Sequence, residues 1–304
     1  MNSIKSFADL LGAAKKKIGI QNVPLLAVLS PLEPKHIEAA AKAAKEGLVK
    51  PCFVGDKKKI EKLVTPSNSD ISSYEIIESK SPLADGITLV NERGADFLLA
   101  AGIGRQEFSE LLTKSGGIFA MGESPVLASL FRVNGYHKLI ASADGVALQP
   151  FDAAQMIKII ENAASLFRLM DIATPKVALL AAVEAISPSI PVTMMEAAIA
   201  KMGDRGQIKN VLIDGPLSFD CAISAEVAGH KGIKNSPVAG DADILIPPTI
   251  ETADGIYKAM VLYAKAESAS VIYGCKAPIS LTFEIDSVQN IVNSIVLGVI
   301  AFLK

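Results

Sequence analysis

The sequence predicts an α/β fold made of mostly parallel strands and divided into two domains. Short apolar runs alternate with helical patterns along most of the chain, an order typical of parallel sheets covered by helices. Half of the 304 residues are apolar, 20% are charged and tryptophan is absent. A core of Ala, Val, Ile and Leu suits parallel strands that are buried on both faces.

The first half of the chain contains three strand-like runs, followed by a hairpin signal. The predicted strands lie at 24–29, 51–56 and 96–102, and the predicted helices at 33–47, 57–64, 82–93 and 106–114. Two further strands within 129–145 are joined at Asn134-Gly135, a dipeptide that favours a hairpin turn. A helix at 153–170 then carries an apolar stripe at helical spacing, which indicates a core position.

The second half repeats the alternation. The predicted strands lie at 176–183, 210–216, 242–248, 269–274 and 278–282, and the predicted helices at 192–202, 219–228, 252–265 and 287–303. We therefore expect one α/β domain at 1–135, joined by the C-terminal helix at 287–304, and a second at 136–286. A ligand cleft is expected between them.

Composition and charge exclude several classes of function. The net charge is −2 without a basic block, so nucleic acid is not an expected partner. The three cysteines show no metal-binding spacing, and the N-terminus lacks the features of a signal peptide. The apolar run 291–303 is too short to span a bilayer and indicates a buried helix. We expect a cytoplasmic protein without a membrane partner.

Several candidate ligand-binding turns follow predicted strands of the second half. Gly215-Pro216 follows one strand, Pro247-Pro248 a second, and the turn with Lys276 and Pro278 a third. Ligands of open α/β sheets bind beyond the carboxyl ends of strands, and glycine lets backbone N–H groups approach an anion. The alternative for each is a tight turn that only redirects the chain.

Charged side chains near these turns leave two interpretations open. Asp241 and Asp243 point the same way on an extended segment that begins at Ser236-Pro237 and contains Gly240. They suit a base or a Mg²⁺ site, or else they cap a loop. Lys258 lies one turn into a helix and either reaches a phosphate or is solvated. The lysines at 57–59 are interpreted as a solvated helix start, the alternative being a rim that attracts phosphate groups.

Four blocks of the sequence resemble the phosphate acetyl/butyryltransferase family. They lie at 177–198, 206–224 (with GPLSFD), 230–260 (with SPVAGDAD) and 274–282, and weaker likenesses occur in the first half. The resemblance implies two α/β domains with an active-site cleft between them, as in the isocitrate/isopropylmalate dehydrogenase-like fold. It also implies a homodimer that exchanges CoA and phosphate on a short or branched acyl group. CoA is then a substrate, and no cofactor or metal is expected.

The resemblance also implies which residues form the site. Thr282, Asp241 and Asp220 are the expected catalytic residues. The expected substrate-binding residues are Gly215, Pro216, Ser236, Pro237, Gly240, Lys258, Lys276, Pro278, Phe283, Glu284 and Asp144.

One departure from the family pattern bears on activity. Family members usually carry Ser-Arg where this chain has Phe283-Glu284, and that arginine is thought to hold phosphate. Lys258, Lys276 or Arg105 are candidate replacements for its charge. The alternative function is a family member that binds acyl-CoA or another anionic ligand without turnover. A weaker alternative, from fold analogy alone, is a metal-dependent decarboxylating dehydrogenase, although no nucleotide-binding segment like theirs is present.

Overall fold

The computed structural model describes residues 4–19, 22–67, 69–103, 125–145 and 152–303. In chain order the elements are α1 (Phe7–Ile18), β1 (Leu25–Leu29), α2 (Pro34–Lys45), β2 (Lys50–Gly55), α3 (Lys57–Ser67), β3 (Ile76–Glu78), α4 (Pro82–Asn91), β4 (Phe97–Ala100), β5 (Val126–Arg132), β6 (Ile140–Gly145), α5 (Ala153–Leu169), β7 (Lys176–Leu180), α6 (Pro191–Asp204), β8 (Leu212–Leu217), α7 (Phe219–Ile223), α8 (Ala225–His230), β9 (Ile244–Ile246), α9 (Ile250–Leu262), β10 (Glu267–Tyr273), β11 (Ile279–Leu281) and α10 (Val288–Phe302).

These elements divide into two units. The central unit consists of Met1–Ser6 and Ser124–Ala266, and the N-terminal unit of Phe7–Glu123 and Glu267–Lys304. The boundaries differ from the predicted ones because strand pairing assigns the segments differently. Strand β5 pairs with β6, and β11 returns to pair with β4.

The N-terminal unit contains strands in the order β3-β2-β1-β4-β11-β10. The first five are mutually parallel, with Val28 opposite Leu99 and Ala100 opposite Leu281, whereas β10 runs antiparallel to β11. Helix α10 packs on β10 and on α2, and all its residues from Asn290 to Ala301 are buried. The prediction of a buried C-terminal helix is therefore confirmed.

The central unit contains strands in the order β5-β6-β9-β7-β8. The predicted hairpin is confirmed, since β5 and β6 pair antiparallel, and the other three strands run parallel to β6. The apolar stripe of α5 is buried, with Met156, Ile160 and Phe167 fully enclosed. Across the described ranges of both units, no helix is long and apolar enough to cross a membrane.

Three elements differ from the sequence prediction. The predicted helix 219–228 is two short helices, because Ser224 adopts an extended conformation and its hydroxyl accepts a hydrogen bond from Val227 N to begin α8. The three-residue strand β3 follows a polar loop and was not predicted. Strand β10 is antiparallel to its neighbour rather than part of a parallel series. The predicted helix 106–114 lies outside the described residues.

Helix α10 passes so close to the sheet that there is no room for a side chain at position 298, which is occupied by glycine. A Cβ there would lie 2.4 Å from Ser280 Oγ and 2.6 Å from Phe97 Cε2. We predict that Gly298→Ala lowers the free energy of unfolding by about 1–3 kcal/mol through overpacking, measured by thermal and urea unfolding. Gly12→Ala in α1 is the control, because nothing lies within 4 Å of its Cβ. Equal effects of the two substitutions would contradict this packing argument.

Candidate functional site

The carboxyl ends of β7 and β8 bring two carboxylates, a hydroxyl and an ammonium together. Ser218 directly follows β8, and its hydroxyl contacts the carboxylates of Glu184 and Asp220. Lys231, just after α8, places its Nζ 3.0 Å from Glu184 Oε1, 2.9 Å from Ser218 Oγ and 3.1 Å from Asp220 Oδ1. These four residues form what we call the β7–β8 cluster.

The β7–β8 cluster is ionised throughout the physiological pH range. Burial raises the pKa of Glu184, but hydrogen bonds from Ser218 and Lys231 outweigh it and lower this pKa to about 2. The same two partners lower the pKa of Asp220 to about 2. Hydrogen bonds to Glu184 and Asp220 in turn raise the pKa of Lys231. With two negative charges and one positive charge, the cluster carries a net charge of −1, and both of its carboxyl groups are deprotonated at neutral pH.

The carboxylates of the cluster lie close enough together to hold a cation, and Lys231 supplies one. Among the described residues, Glu184, Asp220 and Cys221 are close enough to share a metal ion. The Lys231 ammonium already lies within 3.1 Å of both carboxylates and supplies a positive charge there. The Cys221 thiol is buried, and burial raises its pKa. Of the cluster, only Asp220 was predicted; Glu184, Ser218 and Lys231 were missed, although all lie in the family-like blocks.

Gly215 and Pro216 lie within β8, on the strand that leads into the cluster. Strands β7 and β8 approach so closely that a Cβ on Gly215 would lie 2.6 Å from Leu179 Cβ. Asp214 Oδ1 also accepts a hydrogen bond from Gly215 N at 2.8 Å. A structural reason therefore exists for glycine at this position. Asp144, also predicted, is buried near the carboxyl end of β6.

Asp241 and Asp243 lie at the opposite edge, where β6, β7 and β9 begin. The Asp241 carboxylate is 2.6 Å from Lys176 Nζ, 2.9 Å from Lys138 Nζ and 2.8 Å from His137 Nε2. Burial raises the pKa of Asp241, but the hydrogen bonds from the two lysines hold it far below its ordinary value. The structure therefore contradicts the expected grouping of Asp241 with Asp220, because the two aspartates lie at opposite edges of the sheet.

The rest of the 236–243 segment forms a turn that carries the chain to β9. The Ser236 hydroxyl accepts hydrogen bonds from the N–H groups of Val238 and Ala239, and Pro237 is exposed. Gly240 has φ +79°, and a Cβ there would lie 2.4 Å from Ala225 N. Ser236 and Gly240 thus have local structural roles in this turn.

Two predicted lysines lie away from the strand ends where ligands are expected. Lys258 is exposed on α9 and pairs with Asp254 one turn earlier, at 2.7 Å, which favours the solvated interpretation. Lys276 and Pro278 lie in the β10–β11 turn, where Lys276 Nζ contacts Asn91 Oδ1 at 3.4 Å. Because β10 is antiparallel, this turn is at the amino edge of the N-terminal unit, which corrects the sequence prediction.

The carboxyl edge of the N-terminal unit holds Thr282, Phe283 and Glu284, which follow β11. The Thr282 hydroxyl lies 3.3 Å from the carbonyl oxygens of both Ala100 and Ala101, just after the neighbouring strand β4. Phe283 N donates to Asp286 Oδ2 at 2.8 Å. The Glu284 side chain is exposed, so its carboxylate is solvated at this edge.

Lys35 supplies a cation beside this turn. Its Nζ donates to the backbone oxygen of Glu284 at 2.7 Å and lies 3.2 Å from Glu33 Oε1, and its side chain is only 16% exposed. An ammonium carries three N–H donors, and the described residues engage two of them, which leaves the third for a further acceptor. Sequence reasoning missed Lys35 because 249 residues separate it from Glu284. Arg105, a predicted replacement for the arginine, lies outside the described residues.

Comparison with known proteins identifies the family of this chain. The model of the family described as "Phosphate acetyl/butaryl transferase" matches residues 85–299. The chain is 34% identical to a phosphate butyryltransferase from Clostridium beijerinckii over 97% of both chains. It is also 34% identical to a phosphate acetyltransferase from Thermotoga maritima, over 90% of this chain and 94% of that one.

The chain belongs to the phosphate acetyl/butyryltransferase family. The predicted family and its class, an acyltransferase enzyme, are thereby confirmed. A solved branched-chain phosphotransacylase from Enterococcus faecalis superposes with a TM-score of 0.76 at 23% identity, covering 92% of this chain and 99% of that one. That likeness confirms the predicted α/β fold. The roles of individual residues in this family member, and a cleft between its domains, stay predictions.

Glu196 differs from the carboxyls described above in that its pKa is raised, and sequence reasoning missed it. It lies on α6 with no exposed surface, and neither carboxyl oxygen has a hydrogen-bond partner among the residues that the structure describes. Burial raises its pKa from 4.5 to about 8. The unfolded chain releases this proton at lower pH than the folded chain, so ionisation of Glu196 opposes folding as the pH rises.

We predict that Glu196→Gln makes stability less sensitive to pH. In the wild type, this group reduces the free energy of unfolding by about 1.4 kcal/mol per pH unit between pH 4.5 and 8. Urea unfolding at pH 5 to 9 should show a shallower decline for the variant. The control is Glu161→Gln, at an exposed position on α5. Parallel pH profiles for wild type and Glu196→Gln would contradict the prediction.

Proposed function

We propose that this protein exchanges CoA and phosphate on a short or branched acyl group, converting acyl-CoA and phosphate into acyl phosphate and CoA. The observation that carries the proposal is the 34% identity to a phosphate butyryltransferase over 97% of both chains. A phosphate butyryltransferase from Clostridium acetobutylicum is 31% identical, and a protein from Bacillus subtilis named "Probable phosphate butyryltransferase" is 32% identical. These relatives support the butyryl-like acyl preference.

The reaction sets definite demands on the site. A phosphate oxygen attacks the thioester carbonyl carbon, the carbonyl oxygen becomes an oxyanion, and the C–S bond then breaks to release CoA as a thiolate. In the reverse direction the thiolate attacks acyl phosphate and phosphate leaves. The site must hold phosphate, stabilise the oxyanion and align the reactants. CoA takes part as a substrate, and no electron transfer is required.

We assign Lys35 to the binding of phosphate and Thr282 to the stabilisation of the oxyanion. Lys35 has an open N–H donor beside the turn where relatives of this family usually carry arginine. Thr282 offers a hydroxyl at the end of β11, which can turn from its carbonyl contacts toward a ligand. Asp220 is assigned a positioning role through Lys231 and Ser218, because its lowered pKa keeps it ionised.

The assembly and location proposed are a cytoplasmic homodimer that acts on acyl-CoA and phosphate, without nucleic acid or membrane. The net charge of −2 without a basic block supports the absence of nucleic acid. Ile186 and Met194 are 58% and 48% exposed on the segment that follows β7. Because exposed apolar side chains that occur singly are normal on a protein surface, the homodimer is proposed from the family resemblance, and light scattering in solution would test it.

A second candidate function is binding of acyl-CoA or another anionic ligand without turnover. The observation that favours it is the pair Phe283-Glu284 where the family usually has Ser-Arg. An exposed Glu284 carboxylate adds negative charge to an edge that must accept phosphate. Under this alternative, Lys35 holds the anion but the oxyanion lacks its donors.

An activity assay with butyryl-CoA and phosphate separates the two functions. We expect release of free CoA thiol, measured with a thiol reagent, at a rate that depends on phosphate and changes with acyl chain length. No turnover from acetyl-CoA to branched five-carbon acyl-CoA, together with calorimetric binding of CoA, would contradict exchange and support the alternative. Activity gained by Phe283→Ser with Glu284→Arg would then confirm that this pair is the cause.

A lysine substitution tests the assignment of phosphate to Lys35. We predict that Lys35→Met raises the KM for phosphate at least tenfold, because a charge-assisted hydrogen bond contributes about 1.5–3 kcal/mol. The matched control is Lys42→Met, also on α2, whose Nζ donates to Gln289 Oε1 at 2.8 Å. Lys35→Arg should retain most activity. An unchanged KM in Lys35→Met, or an equal rise in Lys42→Met, would refute the assignment.

A further inference from the structure

The N-terminal unit contains a cavity of about 380 Å³ at the carboxyl ends of β1, β2 and β3. Its walls are the loops that leave these strands: Ser30 and Leu32 follow β1, Asp56 follows β2, and Lys80 follows β3. The volume falls within the range of small-molecule sites. The position is also where open, parallel α/β sheets bind ligands. We call it the β1–β3 cavity.

Two lysines supply the cations of the β1–β3 cavity, whose lining also includes Glu78, a carboxylate that accepts a hydrogen bond from Lys57 N at 2.8 Å. Lys59 lies in the first turn of α3 with its side chain 75% exposed, and its contact with Asp56 is a loose 3.7 Å. Lys80 is exposed and forms no ion pair with any residue in the described ranges. Helix α4 begins at Pro82 on the same wall, so its backbone dipole adds positive potential. The lysines at 57–59 thus contribute one cation, Lys59, to a built cavity.

Other groups of the cavity match a ribose and a base. Asp56 directly follows the second strand, the position from which a carboxylate accepts hydrogen bonds from ribose hydroxyls in nucleotide-binding sheets. It accepts one bond from Lys59 N at 3.0 Å, and a carboxylate has further acceptor sites. Leu32 is 61% exposed and Ile60 lies nearby, which gives an apolar wall for a planar ring.

The turn after β1 restricts which part of a nucleotide fits. It reads Ser30-Pro31-Leu32, without the glycine-rich sequence that lets a pyrophosphate sit against a helix N-terminus. The cations of the cavity, Lys59 and Lys80, lie instead after β2 and β3. A phosphate group therefore belongs on the side of the cavity formed by Lys59 and Lys80, away from α2.

We propose that the β1–β3 cavity binds the phosphorylated ribose of a nucleotide, with Lys59 and Lys80 on phosphate, Asp56 on a ribose hydroxyl and Leu32 against the base. Two sources share this chemistry. One is the nucleotide end of CoA, in which case the inference rests on the proposed function. The other is a free nucleotide that acts as an effector.

Calorimetric titration of the full chain with adenosine 3′,5′-bisphosphate and with ADP tests the proposal without requiring turnover. We expect at least one probe to bind, and Lys80→Ala to weaken it roughly tenfold, the loss of one charge-assisted contact. The matched control, Lys62→Ala, changes an exposed lysine of α3 that does not line the cavity and should bind normally. Thermal unfolding confirms that each variant is folded.

Two outcomes would overturn the proposal: neither probe binds the wild type, or Lys62→Ala weakens binding as much as Lys80→Ala. Lys59→Ala provides a second, independent variant that should also weaken binding. Because the titrations need no catalysis, nucleotide binding without acyl exchange would refute the proposed function and leave this inference standing. Acyl exchange with no binding of either nucleotide probe would refute this inference and leave the proposed function standing.

Kinetics then identify the source of the nucleotide. If Lys80→Ala raises the KM for CoA but not for dephospho-CoA, the cavity holds the 3′-phosphate end of CoA. If the KM for CoA is unchanged while ADP or the bisphosphate still binds the wild type more tightly than the variant, the ligand is a separate nucleotide. Both results support the shared chemistry.

Discussion

A single buried carboxylate, Asp243, fixes the sheet of the central unit. Its Oδ2 accepts a hydrogen bond from Lys176 N at 2.7 Å, and its Oδ1 lies 2.6 Å from Lys138 Nζ. Its backbone N–H donates to Lys176 O and its backbone oxygen accepts from Ala141 N, so Asp243, which directly precedes β9, connects that strand to the beginnings of β6 and β7. A shift of one residue in any strand would turn its side chains to the other face. The β7–β8 cluster, at the far end of these strands, depends on that register.

The contrast between Asp241 and Asp220 shows what the sequence alone could not predict, namely at which edge of the sheet each carboxylate lies. Both follow glycine-containing family-like segments, and the family resemblance gave them the same catalytic interpretation. Strand direction separates them, since one precedes a parallel strand and the other follows one. Pairing with Lys138 and Lys176 is a long-range contact that local pattern does not encode. Their difference became visible only once the strands were paired.

Much of the fold could be predicted from the sequence, and the error about the direction of β10 was avoidable. Alternating apolar and helical patterns located most strands and helices, because burial on both faces of a sheet leaves a local mark. The direction of β10 was also encoded: residues 274–278 are too few for a parallel crossover, which needs a dozen or more. That rule places Lys276 and Pro278 at the amino edge, where the structure has them. By contrast, Glu196 had no signal, because a buried carboxyl on an Ala-rich helix resembles a solvated one.

The two units differ in the positive charge that they offer to a phosphate. This difference bears on Glu284, which stands where the family usually carries arginine. In the β7–β8 cluster, Glu184, Ser218 and Asp220 engage all three N–H donors of Lys231, and the net charge is negative. In the described part of the N-terminal unit, Lys35, Lys59 and Lys80 keep N–H donors that no hydrogen bond or ion pair engages. We therefore propose that phosphate recognition rests on cations of the N-terminal unit, which lie on α2, on α3 and on the segment after β3. A phosphate site whose charge comes from Lys35 can lose arginine at position 284, since that position still contributes a backbone oxygen that orients the lysine.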